Sequence, residues 1–210
     1  IWTSLPFLWQ GLQLSLWLTF LFIICGIVLG TLLALARLSG IRPLAFVAAT
    51  YVKLIRSVPL ILVIFWFFFP VPLIIGRPIG SFYSALIAFV LFEAAYYSKI
   101  MRAGIQSVKQ GQVHAGQPTG FNYWQIQRYI VLPQAFRNMI PILVTQDIIL
   151  FQDTSLVFVV PLRDFMTVSS IIARTEGRLV DMYLFAAVVY FVICFSGSML
   201  VRSLKSRMST

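Results

Sequence analysis

Residues 12–36 read LQLSLWLTFLFIICGIVLGTLLALA, a stretch without a single charged side chain. A helix that crosses the hydrocarbon core of a bilayer needs about 20 apolar residues, so this stretch predicts a transmembrane helix. Its small residues Gly26, Gly30 and Ala34 are four apart, which places them on one face and favours the close approach of a second helix. A signal peptide is the competing interpretation, but the apolar stretch is too long and no basic leader precedes it.

The same test, applied outward along the chain, predicts four more membrane spans. These are residues 58–75, 82–100, 139–160 and 182–201. Prolines 59, 70 and 72 either bend the second span or mark its ends. We therefore predict an all-α polytopic membrane protein with about five transmembrane helices, folded as a single domain over residues 1–210.

The composition supports a membrane location. The 210 residues are 60% hydrophobic and only 10% charged, with a mean hydropathy of +0.93, whereas soluble domains carry about 25% charged residues. The net charge of +10 could suggest nucleic-acid binding, but a nucleic-acid-binding protein needs a water-exposed basic module for which this chain has no room. Membrane topology and anionic lipid account for the charge better.

The basic residues predict the orientation of the bundle. Twelve of the 16 Lys and Arg residues follow the first, third and fifth predicted spans, and loops rich in Lys and Arg stay on the cytoplasmic side. Because five spans is an odd number, the termini lie on opposite faces. We therefore expect the N-terminus outside and the C-terminus in the cytoplasm.

Few residues suggest catalysis or metal binding. Cys25 and Cys194 both lie inside predicted spans, and the chain has one histidine. No zinc, P-loop or nucleophile-elbow spacing occurs. The sequence therefore predicts no catalytic residue and no metal ligand.

The longest predicted cytoplasmic loop covers residues 101–134. Loops of this length are usually functional or disordered, and the aromatic and aliphatic residues of 121–130 make disorder improbable. We predict two short helices on the membrane face, divided near Gly120 and stopped at Pro133.

Several motifs in and around this loop resemble those of a known family. Gly111-Gln112, a short helix, Gly120 and the VLP of 131–133 resemble the coupling loop of ABC-importer permeases. RSVPL at 56–60 and DTSL at 153–156 resemble motifs of the polar amino-acid uptake branch, and FQDTSLV at 151–157 with FEAAYY at 92–97 is most similar to glutamate/aspartate permeases.

The resemblance implies a function, which we state as an expectation. The chain would be the transmembrane subunit of an ATP-driven, binding-protein-dependent importer of polar amino acids such as glutamate and aspartate, in the bacterial inner (cytoplasmic) membrane. Its partners would be cytoplasmic ATPase subunits, a second permease chain (identical or homologous), an extracytoplasmic solute-binding protein and the lipid bilayer. It would hold no cofactor and catalyse nothing, because ATP and Mg²⁺ bind to the ATPase subunits.

Two other classes of membrane protein are alternatives to this one. An ion-driven secondary amino-acid carrier usually has paired repeats and many more spans per chain. A membrane scaffold without transport would need no loop large enough to bind an ATPase.

The resemblance also implies the residues of the ATPase-coupling segment, within 112–121 and its flank. These are Gly111, Gln112, His114, Ala115, Gly116, Gly120 and Phe121. The chain departs from the family where Glu-Ala-Ala is replaced by His114-Ala115-Gly116, where Pro118 follows in place of alanine, and where Lys99 replaces a glutamate.

Polar residues within the spans are the candidates for the substrate pathway. These are Glu93, Gln152, Asp153, Thr154 and Ser155. Charged groups in hydrocarbon are costly and therefore face the bundle interior or a wet cavity. For Glu93, Asp147 and Asp153, pairing with Lys99 or Arg102 or a position at the headgroup boundary is the alternative to substrate contact.

Overall fold

The computed structural model describes residues 4–108, 125 and 127–208, and every regular element in this part of the chain is helical. Four of its helices are long and apolar enough to cross a membrane, and a bent helix pair brings the number to five. The predicted fold class, an all-α protein with about five spans, is confirmed. The segment between the second and third of these four long helices, where the coupling residues were predicted, lies almost entirely outside the described residues.

Helix α1 runs from Leu5 to Leu38 and contains the predicted span 12–36. At 1.5 Å per residue its 34 residues extend about 50 Å, well beyond the hydrocarbon core of about 30 Å. A proline in its first turn suits a helix start, because the first N–H groups of a helix have no intrahelical acceptor.

The second predicted span, residues 58–75, consists of two short helices and is preceded by a further helix. Helix α2, Arg42–Ile55, is followed by α3, Leu60–Phe68, and α4, Pro70–Ile75, and α2 makes an angle of 101° with the pair that follows. The break falls at Pro59, which cannot donate a backbone hydrogen bond and disfavours helical geometry in the residue before it. Pro59 and Pro70 therefore mark helix ends. Helix α2 is an element that the hydropathy pattern did not predict.

Helix α5, Ser81–Gln106, is the centre of the bundle. Of its most apolar 18-residue window 61% is buried, against 28% for α1. It packs along α1 through the face that carries Gly26, Gly30 and Ala34, all of them buried. Phe22 of α1 stacks on Phe89 of α5 with ring centroids 4.4 Å apart. The predicted close packing through small residues is confirmed.

The second half of the chain begins with a π-helical turn, Gln127–Val131, that leads into α6, Leu132–Asp153. A 3₁₀ segment, Thr154–Val159, follows. The prediction that Pro133 stops a helix is wrong, because Pro133 lies in the first turn of α6, where its missing N–H costs nothing. The fourth span therefore starts before residue 139.

Two helices complete the bundle: α7, Phe165–Thr175, and α8, Leu179–Met208. Helix α7 packs against the N-terminal part of α1 and the start of α8, in a cluster that includes Leu8, Val168 and Met182. This short helix lies between the predicted spans 139–160 and 182–201, so it is a second element that the hydropathy pattern did not predict.

Candidate functional site

A buried carboxyl group lies at the centre of the bundle. Glu93 on α5 has none of its surface exposed, and its Oε2 accepts a 3.0 Å hydrogen bond from Nε2 of Gln146 on α6. Its other oxygen, Oε1, is buried without a partner among the described residues. The alternative in which Lys99 or Arg102 pairs with Glu93 is wrong, because an uncharged amide is the observed partner.

A second polar contact joins the same two helices one turn further along α5. The hydroxyl of Tyr97 donates a 2.6 Å hydrogen bond to Oδ1 of Asp147. Glu93 and Tyr97 are four residues apart and share one face of α5, while their partners Gln146 and Asp147 are adjacent on α6. The two contacts therefore form a continuous polar seam between α5 and α6.

The ring of Tyr97 owes its position to two glycines of α1. A Cβ on Gly26 would lie 2.9 Å from Cε2 of Tyr97, and a Cβ on Gly30 would lie 2.6 Å from the Cβ of Tyr97. Contacts this short are repulsive, so only glycine at both positions leaves room for the ring. The small-residue face of α1 therefore positions the hydrogen-bond donor of Asp147.

Asp147 also lines a cavity of about 230 Å³ between α1, α6 and α8. Its walls are mostly apolar and include Thr19, Phe151 and Cys194. Among the described residues that line it, the carboxylate of Asp147 is the one charged group. The negative charges of Asp147 and Asp153 both act on Glu93, which makes this part of the bundle acidic.

The predicted pathway residues at the end of α6 are divided between the interior and the surface. Gln152 is exposed and lines two adjoining grooves of about 380 and 270 Å³ between α6 and α8, which also share Ser198. Thr154 is buried, and its Oγ1 donates to the carbonyl of Phe151 at 2.6 Å. Asp153 and Ser155 are half-buried. Glu93 contacts Gln146 instead of this group.

Two functional candidates that the sequence reading did not select are Gln146 and Tyr97. Tyr97 belongs to the motif at 92–97, and Gln146 lies within the predicted span 139–160. An amide beside an acid within an apolar span was the available signal, because a buried polar side chain needs a partner.

Asp164 has a structural role at the start of α7. Its Oδ2 accepts from the backbone N–H of Met166 at 3.0 Å, and its Oδ1 accepts from the N–H of Thr167 at 3.1 Å and from the Thr167 hydroxyl. Burial raises the pKa of this carboxyl, although these hydrogen bonds act in the opposite direction. Ser15 of α1 accepts the N–H of Phe165 at 3.0 Å, which ties the helix start to α1.

The predicted ATPase-coupling residues lie outside the described part of the chain. These are Gly111, Gln112, His114, Ala115, Gly116, Gly120 and Phe121. Within the described ranges, no three His, Cys, Asp or Glu residues are grouped so that they could hold a metal ion.

Comparison with known proteins agrees with this architecture. The chain is 48% identical over 211 residues to the glutamate/aspartate import permease protein GltK of Escherichia coli O6:H1 (strain CFT073), covering 97% of this chain and 94% of that protein. It is 35% identical over 209 residues to the probable glutamine ABC transporter permease protein GlnP of Bacillus subtilis (strain 168), with the same coverage.

Solved structures show the same fold. A crystal structure of an amino acid ABC transporter with histidines superimposes with a TM-score of 0.92 at 30% identity, covering 98% of this chain and 95% of that chain. The MetNI methionine ABC transporter in an inward-facing conformation gives a TM-score of 0.73 at 20% identity, covering 96% and 98% of the two chains.

The family described as "binding-protein-dependent transport system inner membrane component" matches residues 26–210, which include the polar seam and every helix after α1. The chain therefore belongs to this family and is a membrane-spanning permease subunit of an ABC importer.

Proposed function

We propose that this permease subunit serves an importer of acidic amino acids, with glutamate and aspartate as substrates. The observation that carries the proposal is the 48% identity, over 97% of this chain, to a protein named as a glutamate/aspartate import permease. The similarity in fold to an amino acid ABC transporter at a TM-score of 0.92 supports amino acids as the substrate class.

The acidic interior matches one group that every amino-acid substrate carries. The charges of Asp147 and Asp153 both act on Glu93, and Asp147 lines the small cavity. A carboxylate attracts the α-ammonium group of an amino acid but repels its carboxylates. We assign ammonium recognition to Asp147, which lines the cavity, and propose that the fully buried Glu93 supports the same region, while the substrate carboxylates need donors from other parts of the assembly.

The groove residues complete the proposed pathway. Gln152 is exposed beside the α6–α8 grooves, and Asp153, Thr154 and Ser155 continue the polar segment from α6 into the 3₁₀ turn. We assign these residues to the pathway wall that faces the second permease chain, identical or homologous, because a two-fold pathway needs one such face from each chain.

ATP chemistry belongs to partner subunits in this proposal. Two cytoplasmic ATPase subunits bind ATP and Mg²⁺, hydrolyse ATP and contact the coupling segment 111–121, while an extracytoplasmic solute-binding protein docks on the opposite face. The N-terminus lies outside the bacterial inner membrane and the C-terminus inside. The loop motifs, the distribution of Lys and Arg, and the family description support these assignments.

The test is uptake of radiolabelled glutamate into proteoliposomes that contain this chain, its ATPase subunits and its binding protein. We expect uptake to require ATP, and to fall to background when residues 112–120 are replaced by a flexible Gly/Ser linker. The linker variant should still bind the solute-binding protein on the other face, which shows that it is folded. Unchanged uptake by the linker variant would overturn the coupling assignment.

Substrate identity is tested in the same proteoliposomes. Unlabelled aspartate should compete with glutamate, whereas arginine and glutamine should not. Asp147→Asn should lower uptake about tenfold or more, since an amide attracts an ammonium far less than a carboxylate does. Asp181→Asn, an exposed acid at the start of α8, is the control. ATP-dependent transport of glutamine in place of glutamate would refute the proposed substrates, but the assignment as an ATP-driven importer would still hold.

A further inference from the structure

Three arginines converge where α1, α2 and α5 end. Arg37 lies in the last turn of α1, Arg56 directly follows α2, and Arg102 lies about one turn before the end of α5. The positive charges of Arg102 and Arg56 both act on Arg37. Arg37 is therefore close enough to both other arginines to be repelled by them, and we call the three guanidinium groups the arginine cluster.

Contacts with α5 hold two members of the cluster in place. Nη1 of Arg37 donates to Oγ of Ser98 at 3.3 Å, and Ser98 is fully buried, one turn before Arg102. The guanidinium carbon of Arg56 lies 4.9 Å from the centroid of the Tyr96 ring. The hydrogen bond uses one N–H group of Arg37, and the ring contact uses one face of the Arg56 guanidinium. The other N–H groups of both side chains are not used by these contacts.

A hydrogen bond between α2 and α5 fixes the position of Arg56 relative to the other two arginines. The hydroxyl of Tyr51 on α2 donates a 2.7 Å hydrogen bond to the carbonyl of Leu91 on α5. Because α1 also packs along α5, all three arginines are mounted on helices that are fixed relative to one another.

Two donors of the cluster are unused. Nε of Arg37 and Nε of Arg102 are both buried and have no hydrogen-bond partner among the described residues. Buried donors in folded proteins are nearly always paired, and an unpaired one is destabilising. The two guanidinium groups therefore have hydrogen-bonding capacity that the described residues do not use.

The acidic residues of this chain do not supply the counter-charge. All six Asp and Glu residues lie elsewhere, and none occurs in residues 1–92 or 94–146. Glu93 is nine residues before Arg102, on the order of 13 Å along α5, and its Oε2 is bonded to Gln146. The cluster is therefore positive without an Asp or Glu partner from its own sequence.

Helix dipoles explain only part of the arrangement. Each of the three helices presents its partially negative C-terminal end near one arginine, which favours a cation there. A dipole does not accept the buried Nε–H groups of Arg37 and Arg102, and it does not cancel the mutual repulsion of three cations. An anion with several oxygen atoms would do both.

We propose that the arginine cluster binds the phosphate of an anionic phospholipid. Guanidinium groups bind phosphate oxygens in a bidentate manner, and basic pockets between transmembrane helices are suited to anionic headgroups. Large apolar side chains are exposed beside the cluster on two of these helix ends: Leu38, next to Arg37 on α1, and Leu54, two residues before Arg56, are 36% and 62% exposed. These side chains offer the acyl chains a surface that a soluble anion would not use.

The test measures lipid binding to the complete complex in detergent by native mass spectrometry. The purified permease with its partner subunits is mixed with phosphatidylglycerol, with phosphatidylcholine, or with inorganic phosphate or glutamate alone. The variant Arg37→Gln/Arg102→Gln removes the two unpaired donors. The matched control is Arg42→Gln/Lys53→Gln, which removes two exposed positive charges from α2.

We expect phosphatidylglycerol to be retained in preference to phosphatidylcholine. The arginine double variant should bind it about 25-fold more weakly, about fivefold for each basic residue lost, and the control double variant should change binding by less than about twofold. Should the glutamine variant fail to fold, Arg37→Lys/Arg102→Lys keeps the charge but not the bidentate geometry, and we expect severalfold weaker binding.

Three results would overturn the proposal. The first is unchanged phosphatidylglycerol retention in the folded arginine variant, whether glutamine or lysine. The second is an equal loss in the control variant, which would reduce the effect to general surface charge. The third is binding of inorganic phosphate or glutamate alone with the same arginine dependence, which would make the cluster a site for a soluble anion.

Discussion

Tyr97 on α5 donates a 2.6 Å hydrogen bond to Asp147 on α6, and its ring lies against the glycines of α1. One side chain thus joins three helices at the middle of the bundle. In a bilayer, where lipid is as apolar as the helix surfaces, association depends on such close packing and on hydrogen bonds between helices. The contact therefore links the stability of the bundle to the geometry of its acidic interior.

The close packing of Tyr97 against α1 predicts a steric clash when Gly30 is substituted. Gly30→Ala would place its Cβ 2.6 Å from the Cβ of Tyr97 and 3.0 Å from the carbonyl of Ala94. Overpacking of this kind costs about 1–3 kcal/mol. We expect a lower thermal midpoint and less assembled complex, measured by a melting assay and size-exclusion chromatography. Gly40→Ala, which would meet nothing within 4 Å, is the control, and equal stability of the two variants would contradict the prediction.

The hydrogen bond from Tyr97 to Asp147 predicts that Tyr97→Phe destabilises the bundle, although the substitution hardly changes the volume of the side chain. The substitution leaves the partly buried Asp147 without its donor, at a cost of about 1–3 kcal/mol. Asp147→Asn keeps an oxygen that accepts from Tyr97, so we expect it to retain most of the wild-type thermal midpoint while lowering glutamate uptake. A variant pair with the reverse order of stability would refute this assignment.

The start of α7 predicts a dependence on Asp164. Asp164→Ala removes the acceptor of two backbone N–H groups, and loss of such a cap costs about 0.5–2 kcal/mol. The melting assay should show a drop for Asp164→Ala and little change for the exposed Asp181→Ala. Similar midpoints in both variants would mean that the cap contributes nothing measurable.

Asp164 also predicts a pH dependence. Its pKa is raised in the folded protein by burial, above the ordinary value of 3.8. The folded state therefore favours the protonated form, so the contribution of this group is fully present below pH 3.8 and is lost as the pH rises through the higher, folded-state pKa. The stability difference between wild type and Asp164→Asn should decrease from low to neutral pH. A difference that increases with pH would show that the hydrogen bonds outweigh burial.

The proposed orientation is tested by cysteine labelling with a membrane-impermeant maleimide in intact cells. Cys25 and Cys194 are free, so both are first replaced, Cys25→Ser and Cys194→Ala. We expect Gly40→Cys to be labelled only after the membrane is broken, and Arg178→Cys to be labelled in intact cells, because both positions are exposed on opposite sides in the proposed topology. The opposite labelling pattern would invert the topology.

The membrane-spanning helices and the packing face of α1 could be predicted from the sequence. They depend only on the composition of each stretch and on the spacing of its small residues. An apolar stretch as long as 12–36 has no low-energy alternative to a transmembrane helix, and the spacing of Gly26, Gly30 and Ala34 was sufficient to predict a packing face. The motifs at 56–60 and 153–156 were sufficient to suggest the family, since a motif is recognised from the order of its residues alone.

Tertiary structure decided what those features contact. Neither the 101° bend between α2 and the following helix pair nor helix α7 could be derived from hydropathy, because a turn at Pro59 and a cap at Asp164 act through local geometry. The partners of Glu93 and Asp147, and the meeting of Arg37, Arg56 and Arg102, depend on which faces of α1, α2, α5 and α6 turn inward. By itself the sequence determined a membrane bundle of a known family, because burial in lipid is set by composition. Only the packed structure decided which buried polar groups are paired, because pairing depends on distances between residues that are far apart in the chain.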